Sequence, residues 1–211
     1  MRPFRSVNYK GEHNYGLEVG PVRSNTTTVL RSVSKEDRPL TTSDSRDMFF
    51  REIVRYPNLM FLLLTKRPSN INKLIPKSWL TEPPRNVMFG ASVVDNASLR
   101  NVMRHLGKVN GATFLSIEPL LEDLVDWPEV FDNHELTNIP EWVIVGGESG
   151  HHARSFNPDW ARRIQRYCSR EVNTAFFMKQ MGGKRKPFEP IPDDLMVREF
   201  PDWHNFKPQY A

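Results

Sequence analysis

Five short polar signatures each follow an apolar run, and they contain side chains suited to binding ligands or moving protons. Arg and Lys bind phosphate or carboxylate groups, and Glu binds amines or acts as a base. Glycine lets the backbone come close to a ligand. The signatures are Thr65-Lys66-Arg67-Pro68, Gly90-Ala91-Ser92, Ser116-Ile117-Glu118-Pro119, Gly146-Gly147-Glu148-Ser149-Gly150 and Lys179-Gln180.

The apolar runs that precede these signatures predict the strands that position them. Continuous apolar runs indicate parallel strands buried on both faces. The runs begin near residues 59, 87, 113, 142 and 174, and a spacing of about 30 residues is the length of one strand–helix–strand unit. We therefore predict an α/β fold with about five β/α units. The units form either part of a (β/α) barrel or an open parallel sheet.

The intervals between the runs contain helix signals. Residues Asn96–Leu106 carry an apolar stripe at helical spacing. Asn157 is a good N-cap and is followed by Pro158 at the first helical position. We also predict a short helix after Pro68 and another over Trp127–Phe131. Each interval thus supplies a crossover between parallel strands.

Parallel strands bring their carboxyl ends to one edge of the sheet, where ligands bind in α/β proteins. We therefore predict a ligand site at that edge. Its candidate residues are Lys66, Arg67, Ser92, Glu118, Gly146, Gly147, Glu148, Ser149, Arg154, Lys179 and Gln180.

Two interpretations stay open for most of these residues. Glu118 either binds a ligand or forms an ion pair with Lys66, Arg67 or Lys179. The Gly146–Gly150 run either turns backbone N–H groups toward a ligand or makes a tight turn with Glu148 in solvent. Its glycines do not have the spacing of a dinucleotide-binding loop.

The sequence offers no catalytic residue and no metal ligands. The adjacent residues His151 and His152 point apart in regular structure, and no Ser-His-Asp order is present. Cys168 is the only cysteine, which excludes an intramolecular disulfide and any multi-cysteine metal site built by this chain alone. We expect Cys168 to be a reduced residue on a helix face. Asp95 is expected to cap the Asn96–Leu106 helix.

Composition indicates a cytoplasmic protein of one main domain. The chain has 211 residues and a net charge of +4, and no stretch approaches the roughly 20 apolar residues of a membrane span. Basic clusters at Arg162-Arg163 and Lys184-Arg185-Lys186 either contact nucleic-acid phosphates or form a solvated face. At this modest net charge the solvated face is the simpler interpretation.

Three segments differ in composition. Residues 1–42 are predicted to be irregular, residues 43–183 to form the β/α barrel-like domain, and residues 184–211 to form an irregular tail. A barrel that lacks early strands exposes a sheet edge. We therefore expect the chain to be marginally stable, oligomeric, or closed by residues 1–42.

Several motifs, taken in order, resemble one protein family. LTKRP, FGASVVDN, FLSIEPLL and WVIVGGESGHHARSFNPDW are similar to the phage gp thirty-seven/gp sixty-eight family, phage and prophage proteins of unknown function. The resemblance extends from about Asp47 to Gly183. It implies a radical-SAM-like barrel, in which three cysteines hold an iron–sulphur cluster that meets S-adenosylmethionine. In such barrels a Gly-Gly-Glu run commonly contacts the amino group of S-adenosylmethionine.

The chain departs from this family pattern at two places. No cysteine precedes Asp47, and the family's helix between the Asp47–Phe50 segment and the first strand looks shortened or deleted. The resemblance therefore implies a truncated copy with no radical chemistry of its own, and both cofactors are implied only for the family. A partner polypeptide would supply the cysteine segment. The alternative is a basic phage accessory protein that binds nucleic acid or a protein partner.

Overall fold

The computed structural model describes residues 41–131, 136, 138–172, 174–185 and 188–202. The predicted irregular segment 1–42, except its last two residues, lies outside these ranges, and the division at residues 42 and 183 stays a prediction. The strands are β1 (Phe61–Thr65), β2 (Val87–Ser92), β3 (Ala112–Ile117), β4 (Trp142–Gly146) and β5 (Ala175–Gln180). The α-helices are α1 (Thr42–Arg55), α2 (Ile71–Leu74), α3 (Asn96–Leu106), α4 (Trp127–Phe131) and α5 (Pro158–Tyr167).

The five strands form one parallel sheet in the order β1-β2-β3-β4-β5. Leu63 pairs with Phe89, Gly90 with Phe114, and Val145 with Met178. The predicted α/β fold with five β/α units is therefore confirmed. Within the described residues the sheet is open, and no closed barrel is formed.

All the α-helices that contribute to the core pack on one face of the sheet, which we call the helix face. Right-handed crossovers between strands in sequential order place every connecting helix on the same side. The main core joins side chains of α1, α3, α4 and α5 to the helix-face residues of the strands. The largest of these strand residues are Phe89, Leu115, Ile117, Phe176 and Met178.

The opposite face, which we call the open face, carries a smaller apolar cluster. Its buried members are Met88, Phe114 and Trp142. The C-terminal segment covers part of this cluster, because the Trp142 indole Nε1 donates to the Glu199 carbonyl over 3.0 Å. The Phe200 ring lies 5.4 Å from the Trp142 ring, centre to centre.

The prediction of burial on both faces is wrong for β1. Leu62 and Leu64 are 44% and 52% exposed, whereas Phe61 and Leu63 pack against the main core. The physical reason is position: among the described residues β1 pairs with β2 alone, and Leu62 and Leu64 lie on the open face at that edge of the sheet. An apolar run therefore does not distinguish an edge strand from a central strand.

The helix signals in the sequence are confirmed for α3, α4 and α5. α3 and α4 have the predicted bounds, and α5 begins at Pro158 with Asn157 as its N-cap. The Asp95 carboxylate accepts from the Ser98 backbone N–H, as expected for a cap. The Asp47–Phe50 segment itself belongs to the 14-residue helix α1, which ends at Arg55. That this helix is shorter than the family's stays a prediction.

Thr113→Val is expected to stabilise the protein by about 1 kcal/mol. Thr113 lies in the middle of the core with no exposed surface, and its hydroxyl has no hydrogen-bond partner among the described residues. Burial of an unpaired hydroxyl costs free energy, and valine has the same shape without that group. Urea denaturation of both proteins measures the difference.

Thr174→Val is the matched control. The Thr174 hydroxyl is also buried, but it donates to the Pro140 carbonyl over 2.8 Å. Its removal is expected to destabilise the protein by about 1 kcal/mol. Equal effects of the two substitutions would contradict the assignment of an unpaired hydroxyl at Thr113.

Candidate ligand site at the carboxyl edge of the sheet

An ion pair on the open face joins the ends of β3 and β5. The Lys179 Nζ lies 2.8 Å from the Glu118 Oε1, and the Ser116 hydroxyl donates to the Glu118 Oε2 over 3.2 Å. The Glu118 side chain is only 20% exposed, whereas Lys179 is 54% exposed. Of the three ion-pair partners considered for Glu118, Lys179 is the one that the fold brings to it.

Gly146 at the end of β4 makes room for this pair. A Cβ atom at Gly146 would lie 3.0 Å from the Glu118 Oε1. β4 lies between β3 and β5 in the sheet. The bare glycine backbone therefore lets the Glu118 carboxylate cross β4 and reach Lys179.

The loop after β4 runs beside the loop after β5. The Gly147 N–H donates to the Gln180 carbonyl over 3.0 Å, and the Gln180 side-chain amide donates back to the Gly147 carbonyl over 3.2 Å. Ser149 forms a parallel bridge with Gly183. The backbone N–H groups of Gly147 and Gly150 thus bind protein carbonyls. They give the loop its shape.

Glu148 holds Arg154 with two side-chain hydrogen bonds. The Arg154 Nε and Nη2 donate to the Glu148 carboxylate over 2.8 and 2.9 Å, and the Arg154 backbone N–H donates to it over 3.0 Å. These hydrogen bonds lower the pKa of Glu148 to about 2. Glu148 is therefore ionised at neutral pH and fixes the orientation of the Arg154 guanidinium.

A basic pocket of about 330 Å³ lies just beyond β4 and β5. Arg154, Lys184 and Arg185 line it together with one carboxylate, that of Glu189. Phe156 and Phe188 provide apolar walls, and Gly182 and Gly183 also line the pocket. We call this the basic pocket.

The structure divides the predicted site residues into groups. Ser92 pairs in register with Ser116, whose hydroxyl donates to Glu118. Lys66 and Arg67 follow β1, four strand spacings from β5, a distance of about 19 Å along the sheet. Arg67 lines a separate cavity with Leu62 and Leu64. Lys66 and Arg67 are therefore not part of the basic pocket.

Sequence reasoning missed most of the basic pocket. In the sequence Lys184 and Arg185 stand out only as part of a charge cluster, and no motif marks Phe156 or Phe188. The available signal was the Gly182-Gly183 pair directly after β5, since Gly182 has a φ of +82° and Gly183 a φ of +138°. Such backbone turns the chain sharply and brings the basic residues back over the strand ends.

The chain matches a protein-family model. The model describes proteins of unknown function and matches residues 22–199. The chain belongs to the DUF5131 family. Searches of curated proteins and of solved structures gave no match.

The cluster implied by the resemblance does not fit this DUF5131 chain. Iron–sulphur clusters are held by thiolates, and burial raises the pKa of the Cys168 thiol to about 12. Cys168 also lies at the end of α5, where its carbonyl accepts from the Thr174 N–H just before β5 begins. That is the amino edge of the sheet, opposite the candidate site. The described residues contain no group of three or more His, Cys, Asp or Glu placed to hold a metal.

The arginines of α5 are largely paired. Arg162 binds Asp159 and Asp194, and Arg163 binds Asp123. This part of the DUF5131 domain therefore presents less free positive charge than its sequence suggests. Among the described residues, no helix is long and apolar enough to cross a membrane.

Proposed function

We propose that this DUF5131 domain binds a small anionic ligand, one bearing a phosphate or carboxylate group, in the basic pocket. The observation that carries the proposal is the charge of the pocket. Lys184 and Arg185 are exposed and have no acidic partner among the described residues, while Glu148 holds Arg154 in place beside them. Two unpaired cations, Lys184 and Arg185, together with the Glu148-bound Arg154, outweigh the one carboxylate that lines the pocket, Glu189, and favour an anion.

The fixed orientation of the Arg154 guanidinium supports binding of an anionic group. A guanidinium binds phosphate or carboxylate through two parallel N–H groups, and a fixed guanidinium loses little entropy on binding. Two of the Arg154 nitrogens are engaged by Glu148, which leaves Nη1 and the outer edge of Nη2 for a ligand. Lys184 and Arg185 supply the remaining charge.

The walls of the pocket favour a ligand that also has an apolar or ring portion. Phe156 and Phe188 are half-buried and both line the pocket. A nucleotide-like molecule places its ring against a phenyl group and its phosphate against the cations. This combination makes a phosphorylated ligand the favoured class.

The function we propose is binding without radical chemistry by this chain. The resemblance to radical-SAM-like proteins supplies the idea of a ligand at the strand ends, but the only thiol lies at the other edge of the sheet and is buried. Nucleic-acid binding through α5 has no observation in its favour, because Arg162 and Arg163 are paired with carboxylates.

Calorimetric titration tests the proposal with adenosine triphosphate, adenosine monophosphate, inorganic phosphate and S-adenosylmethionine as separate probes. We expect saturable binding of at least one phosphate-bearing probe. The double variant K184Q/R185Q is expected to weaken that binding by at least tenfold, because each charge-assisted hydrogen bond contributes about 1.5–3 kcal/mol.

The matched control is R104Q/K108Q, which removes the same charge from an exposed part of α3 and the residues after it. Binding that falls equally in both double variants would show a general charge effect and contradict the pocket. Absence of binding by all four probes would contradict the proposed function.

A further inference from the structure

We propose that a second surface, a groove between α1 and α2, docks an acidic, amphipathic peptide segment of a partner protein. The groove has a volume of about 760 Å³ and lies between α1 and the Lys73–Trp79 segment. We call it the α1–α2 groove. It is independent of the basic pocket, with which it shares no lining residue.

The floor of the α1–α2 groove is apolar. Phe50 and Trp79 form its base, with their rings 5.0 Å apart, centre to centre. Val54 and Leu74 line the groove and are 55% and 43% exposed. Exposed aliphatic side chains gathered in one concave surface are typical of protein interaction sites.

A neighbouring cavity extends this apolar surface. The second cavity has a volume of about 430 Å³ and shares Phe50, Leu74 and Ile75 with the α1–α2 groove. It continues to the exposed side chains of Phe49 and Leu62. Two adjoining apolar cavities fit two successive apolar anchors on one face of a helix.

The rim of the groove is basic, and this charge defines the partner. Arg51, Lys73 and Lys77 line the groove, are exposed, and have no acidic partner among the described residues. One carboxylate, that of Asp47, also lines the groove, and it pairs with Arg46 over 3.8 Å. Arg55 lies on the same rim but pairs with Glu52 over 2.8 Å. A ligand that fills the floor must therefore carry carboxylates beside its apolar groups.

The floor argues against single-stranded nucleic acid as the occupant. Bases bind by stacking on accessible aromatic rings. Trp79 is only 5% exposed and Phe50 8% exposed, whereas the accessible floor residues are the aliphatic Val54 and Leu74. Aliphatic anchors of a peptide match this surface better than bases do.

A second copy of the chain is also a poor match. The segment between β3 and β4 is the most acidic stretch of the sequence. Asp123 already pairs with Arg163, and Asp126 with Arg100. The basic rims of two copies would repel each other.

Fluorescence anisotropy tests the proposal with a labelled 18-residue helical peptide that carries Leu on one face and Glu on the other. We expect saturable binding. Two variants are each expected to weaken it by at least tenfold: K73E/K77E, which reverses the rim charge, and V54D/L74D, which makes the floor polar. The control R104E/K108E, which reverses the same number of charges elsewhere, is expected to bind as the unmodified protein does.

Two control peptides separate the contribution of the apolar floor from that of the basic rim. Replacing the Leu residues with Ser, or the Glu residues with Lys, is expected to abolish binding in either case. Circular dichroism and thermal unfolding show whether each protein variant is folded. The charge variants lie at exposed positions, so K73E/K77E keeps the test valid if V54D/L74D fails to fold.

Several results would overturn the proposal. One is failure of the Leu/Glu peptide to saturate, and another is equal binding of the Lys-containing peptide. Binding of a 20-nucleotide oligothymidine that K73E/K77E abolishes would assign the groove to nucleic acid instead. A concentration-dependent dimer in sedimentation that L74D dissociates would assign it to a second copy. Phosphate binding by K73E/K77E, measured in parallel, shows that the basic pocket is intact.

Discussion

Gly147→Ala is expected to destabilise the protein by about 3 kcal/mol or more. A Cβ atom at Gly147 would lie 1.9 Å from the Met181 carbonyl oxygen and 2.7 Å from its carbonyl carbon. These are backbone atoms, so the clash is relieved only if the loops after β4 and β5 separate. Overpacking that a side-chain rotation cannot relieve is among the most destabilising kinds of substitution.

Separation of the two loops would also break specific contacts. The hydrogen bond from the Gly147 N–H to the Gln180 carbonyl holds them together, as does the bond from the Gly183 N–H to the Glu148 carbonyl over 2.8 Å. The basic pocket begins at these loops. We therefore expect Gly147→Ala to lose ligand binding as well as stability.

Urea denaturation at neutral pH measures the free energy of unfolding of Gly147→Ala, with Gly150→Ala as the control. Gly150 has a φ of +119°, but a Cβ atom there would meet nothing within 4 Å. Its substitution is expected to cost less, about 1–2 kcal/mol, from backbone strain alone. If Gly150→Ala costs as much as Gly147→Ala, the close approach of the two loops is not the cause.

Asn86→Ala has the second largest expected effect, a loss of about 3 kcal/mol. Asn86 is 5% exposed. Its side-chain nitrogen donates to the carbonyls of Ile53, Tyr56 and Leu59 over 3.0 to 3.2 Å. These carbonyls belong to the end of α1 and the chain that leads into β1. Each lost hydrogen bond costs about 1 kcal/mol, and helix ends need such partners. The Ile53 and Tyr56 carbonyls keep the backbone N–H groups of Tyr56 and Leu59, whereas the Leu59 carbonyl has no other donor among the described residues.

Chemical denaturation of Asn86→Ala measures this loss, and Asn110→Ala provides the comparison. The Asn110 side-chain nitrogen also donates to two backbone carbonyls, those of Leu80 and Thr81. It is exposed, so water replaces it, and its loss is expected to cost less than about 1 kcal/mol. A small effect at Asn86 would show that α1 is held by its apolar face alone.

Both substitutions bear on the proposed sites. Gly147 shapes the loops of the basic pocket, while Asn86 fixes the end of α1, which forms one wall of the α1–α2 groove. We expect Gly147→Ala to impair phosphate binding and leave peptide binding less affected. Among the molecules that stay folded, Asn86→Ala is expected to impair peptide binding more than phosphate binding.

The sequence alone determined the local elements of this protein. The bounds of α3 and α4 and the start of α5 follow from apolar stripes and caps, because helix periodicity and cap chemistry act within a few residues. The strands and their parallel arrangement follow from apolar runs about 30 residues apart. From these, the gathering of polar residues at one edge of the sheet was predictable.

Tertiary structure decided the rest, because it depends on neighbours that are distant in the chain. Strand order separates Lys66 from Lys179 and makes Lys179 the partner of Glu118. Within the described part of the chain it also makes β1 an edge strand, and Leu62 and Leu64 are exposed although their sequence resembles that of a buried strand. The packing of one loop against another joins Arg154 to Lys184 and Arg185 in the basic pocket. A local pattern cannot contain that information, since each of these contacts joins segments that are far apart in the sequence.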